Sequence, residues 1–207
     1  MVCAMTLHGP ARFQQAWTRF SSWLAEHAPG SHESLGRIAF AQEIAQLERE
    51  LGFRLHPELK ELLRRHNGAS RVGAGDFLPL GHRLIGTGEI AEMHWVLVDA
   101  GWHEPGSPWE QDDLNGHPHQ WVPFALPIDG GVAFVDHRPG PTYGHVYELG
   151  IGSGDIDATL WAPSLAELFD RLAEAVERTA PFLYYLPRLE ESSANGSTLT
   201  WDVVTKG

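Results

Sequence analysis

Cysteine is nearly absent. Cys3 is the single one in 207 residues, so no internal disulfide can form, and a reducing compartment fits best. Long apolar runs are missing as well: none approaches the ~20 residues of a membrane helix. The opening Met1-Val2-Cys3-Ala4-Met5-Thr6-Leu7-His8 has neither a cationic segment nor an extended apolar stretch, so no signal peptide is expected. Positive charge is scarce. Lys and Arg total 15 against 27 Asp and Glu, a formal charge of −12. A nucleic-acid binder would show the opposite sign on its working face. An acidic chain suits a basic partner, or simple solvation. Familiar catalytic signatures are lacking too. There is no Walker loop and no strand-linked Gly-x-Gly-x-x-Gly. Ser153, in Gly152-Ser153-Gly154, is not flanked as a nucleophile elbow requires, and Cys3 is too terminal for a nucleophile. The expectation is a soluble cytoplasmic protein that is not an enzyme, uses no cofactor, and binds neither nucleic acid nor membrane.

What is present is enough apolar residue, 43% of the chain, for one sizeable core and too little length for two full domains. Residues 11–28 place Phe13, Trp17, Phe20 and Leu24 on one face at helical spacing, and Pro29-Gly30 stops the run. Residues 35–51 repeat the pattern with Phe40, Ile44, Leu47 and Leu51, and Gly52 stands where a helix-ending glycine would. Pro57 opens a third helix, which Asn67-Gly68 ends. Phe77-Leu78-Pro79-Leu80 reads as an edge strand because of its proline. Thr87 caps a fourth helix with Ile90, Met93, Leu97 and Ala100 inward and Gly101 at its end. Ser164-Leu165-Ala166-Glu167 is a capping box opening another helix.

Between them lies the stretch that organises the chain. Trp121-Val122-Pro123-Phe124, Val132-Ala133-Phe134-Val135-Asp136 and His145-Val146-Tyr147-Glu148-Leu149 are short β-branched and aromatic runs separated by turn residues, the signal for neighbouring antiparallel strands. Asp129-Gly130-Gly131 supplies the positive-φ positions of a tight reversal. Residues 103–120 and 150–159 read as polar loops, 181–187 as an extended piece, 190–197 as a flexible connection, and 198–204 as one more strand. Helices, then strands, then a helix make a segregated α+β order, not βαβ.

Leu51-Gly52-Phe53-Arg54-Leu55-His56-Pro57-Glu58-Leu59 followed by Arg65-His66-Asn67-Gly68 resembles the opening helix pair of the Smi/Knr-type proteins of the SUKH superfamily. Phe77-Leu78-Pro79-Leu80 resembles that family's first strand. The helix ending near Trp95, the Trp121-Val122-Pro123-Phe124 run, Gly130-Gly131 before the strand ending in Asp136, and the helix opened by Ser164-Leu165 continue it in order. The resemblance covers about residues 40–178. It implies an α+β fold with a curved antiparallel sheet and helices packed on it. It also implies a protein-binding role: in bacteria commonly an immunity protein that neutralises a toxin, in fungi an interaction protein of cell-wall regulation. No shared catalytic constellation comes with it. The chain departs from the pattern in an N-terminal helical extension at 11–30, a longer loop at 103–120 and a C-terminal extension at 180–207, all expected within a single domain spanning 1–207.

Residues 101–160 hold nine acids (Glu104, Glu110, Asp112, Asp113, Asp129, Asp136, Glu148, Asp155 and Asp157) against one base, Arg138. The difference, 1 − 9 = −8, is two thirds of the net charge. Such a face steers a cationic partner and raises its association rate by ~10–10³ at low salt. Toxins that attack nucleic acid are often basic because their substrate is an anion. Trp102, Trp109 and Trp121 lie in or beside this region, and tryptophan is over-represented among binding hot spots. Trp121 sits inside a strand pattern and reads as core. Trp109, in a polar loop, is the interface candidate. The expected contact set is Trp102, Trp109, Glu110, Asp112, Asp113, Asp155 and Asp157, and the expected partner is a basic toxin. A regulatory scaffold for endogenous partners is the second reading. The third is a metal-dependent hydrolase: His103, His117 and His119 with Asp112 and Asp113 suffice chemically for zinc, but their spacing matches no known ligand pattern, so no metal is expected. Asp129 is explained as a turn residue, not as half of an acid pair with Asp136.

Overall fold

The computed structural model describes residues 9–99, 114, 117–128, 130–150, 158–192 and 196–204. Helices α1 (Pro10–His27), α2 (Pro29–Glu33), α3 (Ala41–Leu51) and α4 (Pro57–Arg65) come first. A two-residue strand β1 (Arg83–Leu84) and helix α5 (Thr87–Asp99) follow. Strands β2 (Trp121–Leu126), β3 (Val132–Asp136), β4 (Val146–Leu149) and β5 (Thr159–Ala162) form the centre. Helix α6 (Leu165–Arg178) and the hairpin β6 (Tyr185–Ser192) and β7 (Gly196–Val203) complete the order. The fold is α+β. Five strands form an antiparallel sheet in the order β1-β2-β3-β4-β5, and among the described residues β6 and β7 form a separate two-stranded sheet.

The helical layer is held by aromatic packing. Proline at the first helical position starts α1 after Gly9 at φ +59°. Its Phe13, Trp17, Phe20 and Leu24 are buried. Phe169 of α6 meets three of them, with ring centroids 5.9 Å from Phe13, 4.7 Å from Trp17 and 5.7 Å from Phe20. Arg19 reinforces the pair from outside, forking onto Glu177 and reaching Asp170. The extra N-terminal helix foreseen from the sequence is therefore part of the main core. Helix α4 joins through Glu58, whose buried carboxylate accepts the Ala166 N–H at 2.9 Å in the first turn of α6. Burial pushes the Glu58 carboxyl up, and the backbone N–H groups of α6 oppose that shift. Ser164 caps the same helix by accepting the Glu167 N–H, as the capping box foretold.

Alternation divides the sheet into two faces. Val122, Phe124, Ala133, Val135, Val146 and Ala162 point into the main core with the helices. Trp121, Val132, Phe134 and Leu149 point the other way into a smaller core closed by Leu97 of α5. The register slips at Pro123/Ala125, where proline lacks a donor, and again at Val146/Tyr147; such irregularities bend strands. Gly130 and Gly131 make the β2–β3 turn at φ +95° and +135°; Asp129 between them and β2 lies outside the described residues.

Four expectations need correction. Residues 35–51 are not one helix: α3 starts at Ala41, residues 36–40 are non-helical, and Phe40 is 57% exposed instead of facing the core. Phe77–Leu80 is not a strand: Leu78 makes one isolated bridge to His82, and Leu80 turns the chain at φ +58°. The first strand is Arg83–Leu84, because Pro79 has no N–H to continue a ladder. Strand β5 was not foreseen; its four residues end at Pro163 and are too few to show a period. Residues 190–192 are not a connection but the end of β6, paired through Glu190↔Thr198 and Ser192↔Gly196. Both strands are polar there, so no apolar alternation announced them.

Candidate partner-binding surface

All seven contact residues expected from the sequence (Trp102, Trp109, Glu110, Asp112, Asp113, Asp155 and Asp157) lie outside the described residues. The frame that carries them is described. Their segments leave the end of α5 and the end of β4, and both elements belong to the smaller core on the outer face of the sheet. That face is an aromatic row across three strands. Trp121 stacks on Phe134 at 4.5 Å and 16°, and Phe134 stacks on Tyr147 at 5.7 Å and 23°. Leu97 and Met93 of α5, Leu114 and Ala158 pack around the row. Trp121 is fully buried, as its strand pattern indicated.

Beside this row α5 turns apolar side chains to water. Trp95 is 64% exposed, Val96 46% and Val98 40%. A surface helix normally keeps its apolar residues in one stripe. Here Ile90 and Leu97 fill that stripe, and Trp95, Val96 and Val98 fall outside it, between Glu92 and Asp99. An apolar patch rimmed by charge marks an interaction site more often than a chance exposure. Sequence reasoning missed it, although the unbroken run Trp95-Val96-Leu97-Val98 is too apolar for a one-sided helix.

The structure also redistributes the acidic charge. Among the nine acids of residues 101–160, the two that are described are both buried. Asp136 is fully buried and accepts the backbone N–H, Nε and Nη2 of Arg138 at 2.9–3.1 Å. Glu148 is 8% exposed, and burial raises its carboxyl above the usual range. Neither displays charge to a partner; the other seven lie outside the described residues.

Next to the Asp136–Arg138 pair, histidines and aromatics from three regions converge. His137 donates from Nδ1 to the Val135 carbonyl (2.9 Å), and its Nε2 accepts the backbone N–H of His56 at 2.8 Å. Both ring nitrogens are used, and the neutral tautomer is set. Burial lowers its pKa to about 4. His56 accepts the Glu58 N–H at its Nδ1, and its ring packs tilted at 56° against Tyr143, 4.9 Å between centroids. A Cβ on Gly144, at φ +91°, would come 2.6 Å from His56 Nε2, so only glycine lets the β3–β4 loop approach. His94 of α5 donates from Nε2 to the His119 carbonyl at 2.9 Å, tying α5 to the entry of β2. Burial lowers the pKa of His56 and His94 as well. These rings act as neutral latches between segments. His117 and His119 lie 5.7 Å apart by ring centroids. Their supposed co-ligands His103, Asp112 and Asp113 lie outside the described residues. Among the described residues, no three His, Cys, Asp or Glu side chains gather as a metal site would require. No helix there is long and apolar enough to cross a membrane.

A family model described as SMI1 / KNR4 family (SUKH-1) matches residues 39–171. That stretch runs from the start of α3 into α6 and takes in both faces of the five-stranded sheet. It leaves out α1 and the β6–β7 hairpin. No curated protein matches the chain.

Proposed function

Since the chain belongs to the SMI1 / KNR4 family (SUKH-1), we propose that it is a non-enzymatic protein-binding module, specifically an immunity protein that occludes the active face of a basic toxin. Membership itself supports the coarser part, a binding or regulatory role without catalysis. The observation that carries the finer part is the exposed strip Trp95, Val96 and Val98. It stands on a helix whose far side is locked into the sheet by Leu97, and it adjoins the segment holding Trp102, Trp109, Glu110, Asp112 and Asp113. Tryptophan on a rigid support gives contact area at little entropic cost, and the surrounding acids give a basic partner its orientation and rate. Asp155 and Asp157, which follow β4 in sequence, are the remaining acids of the proposed contact set. The site of action is the cytoplasm.

The test is co-expression with the products of neighbouring genes, followed by binding measurements across salt concentration. A complex with a basic neighbour, weakened by salt and by Trp95→Ala, is expected. Absence of any such complex, together with recovery of housekeeping proteins alone, would favour the regulatory-scaffold reading instead.

A further inference from the structure

We infer that this protein self-associates through the outer edge of β6, forming a two-fold dimer in which two hairpins join into one four-stranded sheet. The two edges of the hairpin differ. On β7 the edge is covered: the Leu199 N–H leaves the ladder and donates to Ser31 Oγ of α2 at 3.0 Å. Antiparallel pairing alternates, so Leu189, the register partner of Leu199, also turns its backbone groups away from the ladder. Pro187 and Glu191, two residues either side, do the same. The position of Pro187 agrees, since a proline fits where no ladder donor is needed. Tyr185 agrees too, donating outward to the Phe182 carbonyl. Among the described residues, nothing pairs with the outward backbone groups of Leu189 and Glu191. Arg188 to Glu191 are exposed in sequence, and Leu189 is 48% exposed.

An open strand edge invites another strand, and its own side chains select a second copy. Antiparallel pairing about a two-fold axis at Leu189 sets the two Leu189 residues opposite each other as a doubly hydrogen-bonded pair. Pro187 is buried, so the pairing centres on Leu189 and its exposed neighbours Arg188, Glu190 and Glu191. Arg188 falls opposite Glu190 of the other copy in a close pair, about 4.5 Å between Cα atoms. Every charge on that face of β6 therefore meets its opposite. Within its own hairpin Arg188 pairs with Asp202, so the two acids share it. A groove of about 390 Å³ at the edge is lined by Trp23, Val176, Leu186, Arg188, Leu189 and Leu199 among others. In the dimer the two grooves meet under the paired Leu189 side chains. Edge pairing this short buries less than the ~1,200 Å² of a standard stable interface, so the dimer is weak, with a Kd of about 10–100 µM.

Sedimentation of the full chain between about 10 µM and 1 mM brackets that Kd. A reversible monomer–dimer equilibrium is expected. Glu190→Arg and Arg188→Glu should each weaken it about tenfold, like charges then facing each other, and the double substitution should restore it. Asp202→Asn, which breaks only the pair inside the hairpin, should leave it unchanged. Leu189→Pro removes the outward donor without touching the ladder and should abolish it. A strictly monomeric chain at the highest concentration would overturn the inference. So would a dimer indifferent to Glu190→Arg, or β6 amides protected from exchange only after a purified toxin partner is added, which would give the edge to that partner.

Discussion

The five-stranded sheet and the β6–β7 hairpin handle polar groups in opposite ways. In the large sheet, Asp136 is buried but receives three donors from Arg138, and His137 has both ring nitrogens engaged. In the hairpin, Leu189 and Glu191 keep outward backbone groups without partners among the described residues, because water reaches them. The difference follows from burial. An unmade hydrogen bond inside costs about 1–3 kcal/mol, whereas at an exposed edge water supplies it. The large sheet is thereby committed to stability and the hairpin edge remains available for association. The strip on α5 belongs with the hairpin in this respect: Trp95 is exposed where its neighbour Leu97 is buried.

The contrast breaks most severely if the large sheet loses its helical cover. Phe169→Ala empties the position that three α1 aromatics surround, and should cost about 4 kcal/mol in denaturant unfolding. Acid should come next. The folded pKa of His137 is about 4 against 6.5 unfolded, so between those values the unfolded chain binds more protons. Stability should be full above pH 6.5, fall by about 3 kcal/mol on going down to pH 4, and fall no further from this group below that. His56, His66 and His94 are shifted in the same direction and steepen the decline. Unfolding measured against pH should show it, and His137→Gln should flatten the slope. Ser31→Ala removes the cover from the β7 edge, orphaning a buried N–H, and should cost about 1–2 kcal/mol; faster exchange of the Leu199 amide would locate the loss. Trp95→Ala should change stability least, by under about 0.5 kcal/mol, while weakening partner binding by about 2 kcal/mol. A large loss of stability from Trp95→Ala would move that residue to the structural side of the comparison.

Much of this was readable beforehand where one physical signal dominated. Phe13, Trp17, Phe20 and Leu24 recur at helical spacing, and all four are buried. Pro57, Gly52 and Ser164 mark helix ends through φ and donor chemistry alone. Val132–Asp136 appears as a strand with those same bounds. The signal failed where elements were short or polar: β1 has two residues, β5 has four, and the outer half of the hairpin has no apolar alternation. It failed for the site in another way. Asp136 and Glu148 count as acids in any composition, yet one is neutralised by Arg138 and the other is buried, and nothing local distinguishes them from Asp112 or Asp155.

Local chemistry by itself determined most of the helices, the β3 strand and the acidic balance, because propensity, capping and period act over a few residues. Only the tertiary structure decided that α1 belongs to the core, that Trp95 faces water while Trp121 does not, and that β7 is covered while β6 is open. Those outcomes depend on which surfaces meet, and residues such as Ser31 and Leu199, 168 apart in the chain, carry no mark of one another until the chain has folded.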